Sequence, residues 1–248
     1  MRRWRTRRRR SQMDVALAAN LSTRHLSCIE TGRATPSRNM IERLCDELDV
    51  PLRERNALYL AAGYAPVHGE RPLADLGAAR AAVTAVLAGH EPSPALAVNA
   101  RWELLAANRA ATFFLADLPP ALCDPPMNVL RATLHPDGLS RRIRNLTQWR
   151  AHVRRRVGRQ LARTAAEGLA DLLSEIESYP APEDHIEKDP TTDLVVPLLL
   201  STDHGDLSLL YTTTVFGSPR DVTLDEIAIE TFFPADTRTA DLLRSMTG

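Results

Sequence analysis

The feature that most constrains this chain is the spacing of helix starts and stops over its first 64 residues. Ser11 and Ser22 are good helix N-caps, because a side-chain hydroxyl there accepts from the free N–H groups of the first turn, and Pro36-Ser37 opens a further helix. Ser11 is followed by Gln-Met-Asp, which places an acid at the third helical position. Gly32 follows one apolar stripe, Pro36 and Pro51 precede two others, and Gly63 with Pro66 ends the last. Between these signals lie Val15, Leu17 and Ala18, then Leu26 and Ile29, then Met40, Ile41, Leu44 and Leu48 at helical spacing, then Leu52, Leu58 and Leu60. The pattern predicts an all-α domain of five short helices over residues 1–64, beginning with a very basic helix at 3–10.

At 248 residues the chain has room for about two domains of roughly 100–200 residues each. Its 31 basic and 31 acidic residues give a formal net charge of zero, yet the charges are segregated. Residues 1–64 carry 13 arginines against 7 acids, and residues 131–163 carry 10 arginines against one acid. Residues 164–248 carry 4 bases against 17 acids. Such asymmetry predicts different partners for different parts of the chain. The basic stretch 131–163 is expected to pair with the acidic stretch, within the chain or across a dimer; contact with DNA flanks is the alternative. Lys188 is the one lysine, and an Ala- and Arg-rich, Lys-poor composition points to a GC-rich bacterial coding sequence.

Residues 65–93 read as a connector containing a helix at 78–87. Residues 94–248 change character. Apolar runs at 95–98 and 102–106 around Asn-Ala-Arg predict a hairpin, and Asn108 is placed to cap a helix through Leu115. A Pro-rich loop and a short helix at 128–134 follow. Leu146, Trp149, Val153, Val157 and Leu161 mark one face of a long amphipathic helix, and 169–176 continues as another. Strands are expected at 194–200 and 207–216 around Asp203-His204-Gly205-Asp206, with a strand or short helix at 227–233 and a closing helix at 237–246. The result is an α+β domain with a small antiparallel sheet over 94–248.

The segment SQMDVALAANLSTRHLSCIETG lays out two short helices joined by a tight turn, the second polar on its outward face. A helix fits the major groove of B-DNA, and Arg24 is the natural candidate for a bidentate contact to guanine. The pattern Gln12, Ala18, Leu21-Ser22, Leu26-Ser27, Ile29-Glu30, Gly32 resembles the phage-repressor-like helix-turn-helix family often called XRE. By that resemblance Thr23, Arg24 and Cys28 face bases, while Gln12, Ser22, Ser27, Arg33 and Arg38 face the DNA backbone. Arg5 and Glu30 match an internal salt bridge. The family usually has more residues before the first helix, so Met1 is expected to be a late start. Arg10 stands where an apolar residue is usual. The run Arg7–Arg10 keeps two readings, a solvated face and a phosphate-binding cluster.

The segment from Ala95 to Ala110 resembles the opening of a PAS domain. Asn128-Val-Leu-Arg131, His135-Pro-Asp-Gly, Asn145-Leu-Thr-Gln-Trp149, Phe216-Gly-Ser-Pro and Glu230-Thr-Phe-Phe-Pro resemble the MmyB-like ligand-binding domain of actinobacterial regulators. The resemblance implies a PAS-like sensor holding a fatty acid or other small apolar metabolite, with no cofactor required. Asn108, Arg109, Phe113, Asn128, Arg131, Trp149, Tyr211 and Phe233 are the expected pocket residues. An apolar stripe at helical spacing is equally the mark of a core, and Asn108 equally that of a helix cap.

Cys28, Cys45 and Cys123 form no disulfide framework or CxxC pair, which fits a reducing cytosol and no metal site. His135, His152, His185 and His204 lack metal-ligand spacing, and neither a GxSxG elbow, a Walker loop, a Rossmann glycine motif nor HExxH occurs. The chain therefore reads as a cytoplasmic, ligand-responsive bacterial transcription regulator and not an enzyme. It is expected to bind a double-stranded DNA operator as a homodimer, without a membrane. The alternative is a regulator whose second domain serves only dimerisation or protein interaction.

Overall fold

The computed structural model describes residues 1–180, 196–217 and 219–247. They fall into two compact units, the first made of residues 1–71 and 219–225. Its helices are α1 (Arg2–Arg7), α2 (Gln12–Ala18), α3 (Thr23–Glu30), α4 (Arg38–Glu47) and α5 (Leu52–Ala61). The serine caps operate as their chemistry requires. Ser11 Oγ accepts from the Asp14 N–H at 3.1 Å while the Asp14 carboxylate accepts from the Ser11 N–H at 3.2 Å, a reciprocal capping box. Ser22 accepts from the His25 N–H at 3.1 Å and Ser37 from the Met40 N–H at 3.3 Å. Trp4, Val15, Ala16, Leu26, Ile41, Leu44, Leu48 and Tyr59 fill the core, whereas Met13 and Leu17 on α2 stand in solvent.

The first helix stops at Arg7, three residues short of the expected end, because Arg9 adopts a left-handed φ of 54°. Within the arginine run, Arg8 and Arg10 are bonded inside the unit, and Arg9 is exposed. Arg8 donates to the Leu48 carbonyl at 2.8 Å and the Asp49 carbonyl at 2.5 Å, closing the C-terminus of α4. Arg10 pairs with Glu47 at 2.9 Å and Arg3 with Glu54 at 2.8 Å. Pro51 offers no side-chain cap to α5. The carboxylate of Asp225 supplies one from far along the chain, accepting from the Leu52 N–H at 3.1 Å. The same segment donates from the Val222 N–H to the Gly69 carbonyl at 2.8 Å, and from Thr223 Oγ1 to the Arg71 carbonyl at 2.6 Å.

The second unit, residues 72–217 and 226–247, contains α6 (Gly77–Gly89), β1 (Ala95–Val98), β2 (Leu104–Ala107), α7 (Arg109–Leu115), α8 (Pro120–Cys123), α9 (Val129–Leu134), α10 (Leu146–Thr164), α11 (Leu169–Ser178), β3 (Leu198–Thr202) and β4 (Gly205–Val215). The short helix α12 (Val222–Glu226) interrupts it before β5 (Ala228–Pro234) and α13 (Thr237–Thr247). The sheet is antiparallel throughout, in the order β2-β1-β5-β4-β3. Strand β2 begins at Leu104 rather than Trp102, because Trp102 has a φ of 65° and belongs to the turn. Asn99 Oδ1 shapes that turn by accepting from the Arg101 and Glu103 N–H groups. The β3–β4 connection is the two-residue turn Asp203-His204, and residues 227–233 resolve as a strand rather than a helix.

One face of the sheet packs, through Leu96, Val98, Leu198, Leu200, Leu207 and Leu209, in a core with Val129, Leu130, Leu146, Trp149, Val153, Val157, Leu172 and Ile176 from α9, α10 and α11. Register places Glu230 between Leu96 and Thr213 in one cross-strand row, and Tyr211 beside Phe232 in the next. The basic stretch meets acids of the later stretch within this unit: Arg131–Glu175 at 2.7 Å, Arg144–Asp206 at 2.5 Å and Arg156–Glu230 at 2.5 Å.

The expected division put 65–93 in a connector and 219–225 in the second domain. The contacts instead place 65–71 and 219–225 in the helical unit, through the bonds to Gly69, Arg71 and Leu52, and 72–93 in the sheet unit, where α6 packs on β1 and β2. The expected strand start at 194–195, and His185 and Lys188, lie outside the described residues. No described helix is long and apolar enough to cross a membrane.

Candidate functional site

In the helical unit, α3 carries Thr23 and Arg24 fully exposed at its start, with Ser27 and Cys28 one turn on and half-buried. Spacing of four residues puts Thr23 with Ser27, and Arg24 with Cys28, along the outer side of the helix. Ser22 is exposed with its hydroxyl engaged as the cap. Arg33 and Arg38 are exposed on either side of the loop before α4. Arg38 lies over the Tyr64 ring at 5.0 Å, which holds its guanidinium in place.

Behind this face, Glu30 is completely buried and accepts from Arg5 Nε at 2.7 Å, Arg5 Nη2 at 2.9 Å and Gln12 Nε2 at 2.7 Å. Burial alone would raise the Glu30 carboxyl, but the bonds from Arg5 and Gln12 outweigh it and hold the group below its ordinary value. Gln12 is therefore a structural partner of Glu30, and its amide has one N–H left for a phosphate.

In the sheet unit a cavity of about 50 Å³ lies between the sheet and the helices. Its wall is formed by Leu96 of β1, Trp102 of the turn, Val129, Leu130 and Thr133 of α9, Trp149, His152, Val153 and Arg156 of α10, Tyr211 of β4, and Glu230 and Phe232 of β5. The lining is almost wholly apolar apart from one network centred on buried Glu230. Arg156 donates to Glu230 Oε1 at 2.5 Å and to Thr213 Oγ1 at 2.6 Å, while Glu230 Oε2 accepts from the Tyr211 hydroxyl and from Thr213 at 3.2 Å. The guanidinium of Arg156 sits 4.9 Å from the Trp102 ring and 5.0 Å from that of Tyr211. Burial pushes the Glu230 carboxyl up, against the pull of Arg156, Tyr211 and Thr213. Burial and the Glu230 charge push the Tyr211 hydroxyl up. Burial, with Arg155, Arg156 and Arg159 nearby, pushes His152 down.

Of the expected pocket residues, Trp149 and Tyr211 stand in this wall. The others lie outside it for identifiable reasons. Asn108 is spent on the backbone, its amide oxygen accepting from the Ala95 and Ala111 N–H groups and its nitrogen donating to the Ser93 carbonyl. Asn128 caps α9 in the same way and donates to the Arg101 carbonyl. Arg131 forks onto Glu175, Arg109 and Phe113 face solvent, and Phe233 packs edge-on to His90. Sequence reasoning missed His152 and Arg156, which follow Trp149 by three and seven residues and so share its helix face. It also missed Glu230, whose signal was a lone acid inside an apolar strand.

Among the described residues no group of three His, Cys, Asp or Glu is placed to hold a metal ion. The family model for the MmyB-like transcription regulator ligand binding domain matches residues 79–246, and a model for a helix-turn-helix domain matches residues 1–58. Among curated proteins none matches the chain. The chain is a DNA-binding transcription regulator with a ligand-binding domain, and it belongs to the MmyB-like family.

Proposed function

We propose that this regulator reads a two-fold DNA operator as a cytoplasmic homodimer and that a small apolar, acyl-type ligand in the sheet cavity changes its operator affinity. The observation that carries the reading is the cavity itself, apolar over most of its wall and polar at one end, in the same chain as an exposed helix carrying Arg24. Arg24 meets a guanine edge, Thr23 and Cys28 meet neighbouring bases, and Arg33 and Arg38 hold phosphates. The operator then has two related half-sites about one helical turn apart.

At about 50 Å³ the cavity is far smaller than the roughly 300–1,000 Å³ of a typical ligand pocket. A longer ligand therefore selects a more open arrangement of the wall, and that difference in affinity between arrangements is what a switch needs. The test is native mass spectrometry of the purified chain for a bound acyl compound, followed by operator titrations with and without it. A ligand that saturates the protein and shifts operator affinity supports the reading. The small void and the exposed Leu105, Leu210 and Val215 of the sheet favour, as a second reading, a domain used only for association. Absence of any saturable ligand, together with dimers that dissociate on Leu210→Asp, would select that reading instead.

A further inference from the structure

The polar end of the cavity has unspent hydrogen-bonding capacity, chiefly of donors. Trp149 Nε1 and Arg156 Nε, both N–H donors, are buried without a partner, and His152 Nε2 is unpartnered beside them. All three side chains belong to the cavity wall. Trp102, the other wall indole, is satisfied by Gln160 Oε1 at 2.9 Å, so the vacancy on Trp149 is particular to that site. The carboxylate of the wall is by contrast engaged, since both oxygens of Glu230 already receive hydrogen bonds. What completes this set is an oxygen that accepts.

Charge narrows the choice. Arg156 is balanced by Glu230 at 2.5 Å, and each of its terminal nitrogens donates once, to Glu230 and to Thr213. Burial keeps His152 a neutral ring, and Arg155 and Arg159 are exposed outside the wall, so no second cation is available. A carboxylate seated on Trp149 and Arg156 would put a second carboxyl group on a guanidinium already paired with Glu230 at 2.5 Å. Two carboxyl groups sharing one cation resist being ionised together. Resting on the reading of this cavity as the ligand site, we propose that it selects an uncharged acyl compound, an ester, amide or lactone. The ligand's carbonyl oxygen accepts from Trp149 and Arg156, and Glu230 turns free carboxylic acids away.

The experiment titrates the full chain at neutral pH with methyl octanoate, N-methyloctanamide and octanoate, read by calorimetry and by the fluorescence of Trp102 and Trp149. The ester and the amide are expected to bind about tenfold more tightly than octanoate. Glu230→Gln, which removes the anion and keeps the shape, is expected to close most of that gap by strengthening octanoate. Trp149→Phe keeps the ring and removes the donor; it is expected to weaken the ester about fivefold and leave octane binding unchanged. Octanoate binding as tightly as the ester, or a gap that persists in folded Glu230→Gln, overturns the head-group assignment while leaving the cavity a ligand site. Failure of all probes to bind the folded chain overturns the cavity reading, and this proposal with it.

Discussion

Arg24 and Arg38 are both exposed arginines of the helical unit, yet their surroundings assign them different work. Arg24 is exposed at the start of α3, where the proposed guanine contact would be made, while Arg38 lies over the Tyr64 ring beside the loop. Arg24→Ala is expected to relax preference at one base position by about 1–3 kcal/mol, and Arg38→Ala to weaken all sequences alike with a shallower salt dependence. Binding selection on randomised DNA separates the two outcomes. Glu30 makes a pH prediction. Its folded carboxyl lies below the ordinary value of about 4.3, so its contribution is present above that value and is lost as pH falls through the lower, folded one. Melting of the helical unit is expected to drop across that acid range, and Glu30→Gln to flatten this part of the profile. At this scale the sequence was half legible. The Trp149 stripe announced a helix face, but a capping asparagine and a binding asparagine read alike in one dimension. The partners that spend Asn108, Asn128 and Arg131 arrive only with tertiary structure.

Elements whose ends are fixed by local chemistry were the readable ones. The serine-capped helices α2, α3 and α4 and the two-residue turn before Gly205 depend on neighbours in sequence, so their signals are complete in the chain. Two misjudged ends turn on a positive φ at a residue other than glycine, Arg9 after α1 and Trp102 before β2, which side-chain chemistry does not announce, and the unexpected α12 bonds to a segment far upstream. Asn108 tests this distinction. Asn108→Ala strips four buried backbone partners at the joint of α6, β1 and α7, and is expected to destabilise the sheet unit by about 2–4 kcal/mol. Chemical denaturation measures it, and ligand affinity of the folded fraction is expected to stay unchanged, since Asn108 does not line the cavity. Asp225→Ala uncaps α5 and is expected to cost the helical unit about 1 kcal/mol, read from its melting temperature.

For the whole molecule, coupling between operator and ligand is a free energy that must read the same from either side. If saturating ligand changes operator affinity by a given factor, saturating operator is expected to change ligand affinity by that factor, and paired titrations check it. Fold class and the two-part plan were legible because caps, periods and charge blocks are properties of segments. The extent of each part was not, because the helical unit recruits 219–225 from between two strands of the sheet unit. That recruitment bears on modularity. Splicing a foreign sensor onto this reader after residue 71 would discard Val222, Thr223 and Asp225. Gly69 and Arg71 would lose their hydrogen-bond donors, and α5 would lose its cap. The reader and its sensor are a matched set, exchangeable only if the loop between β4 and β5 is transplanted as part of the reader.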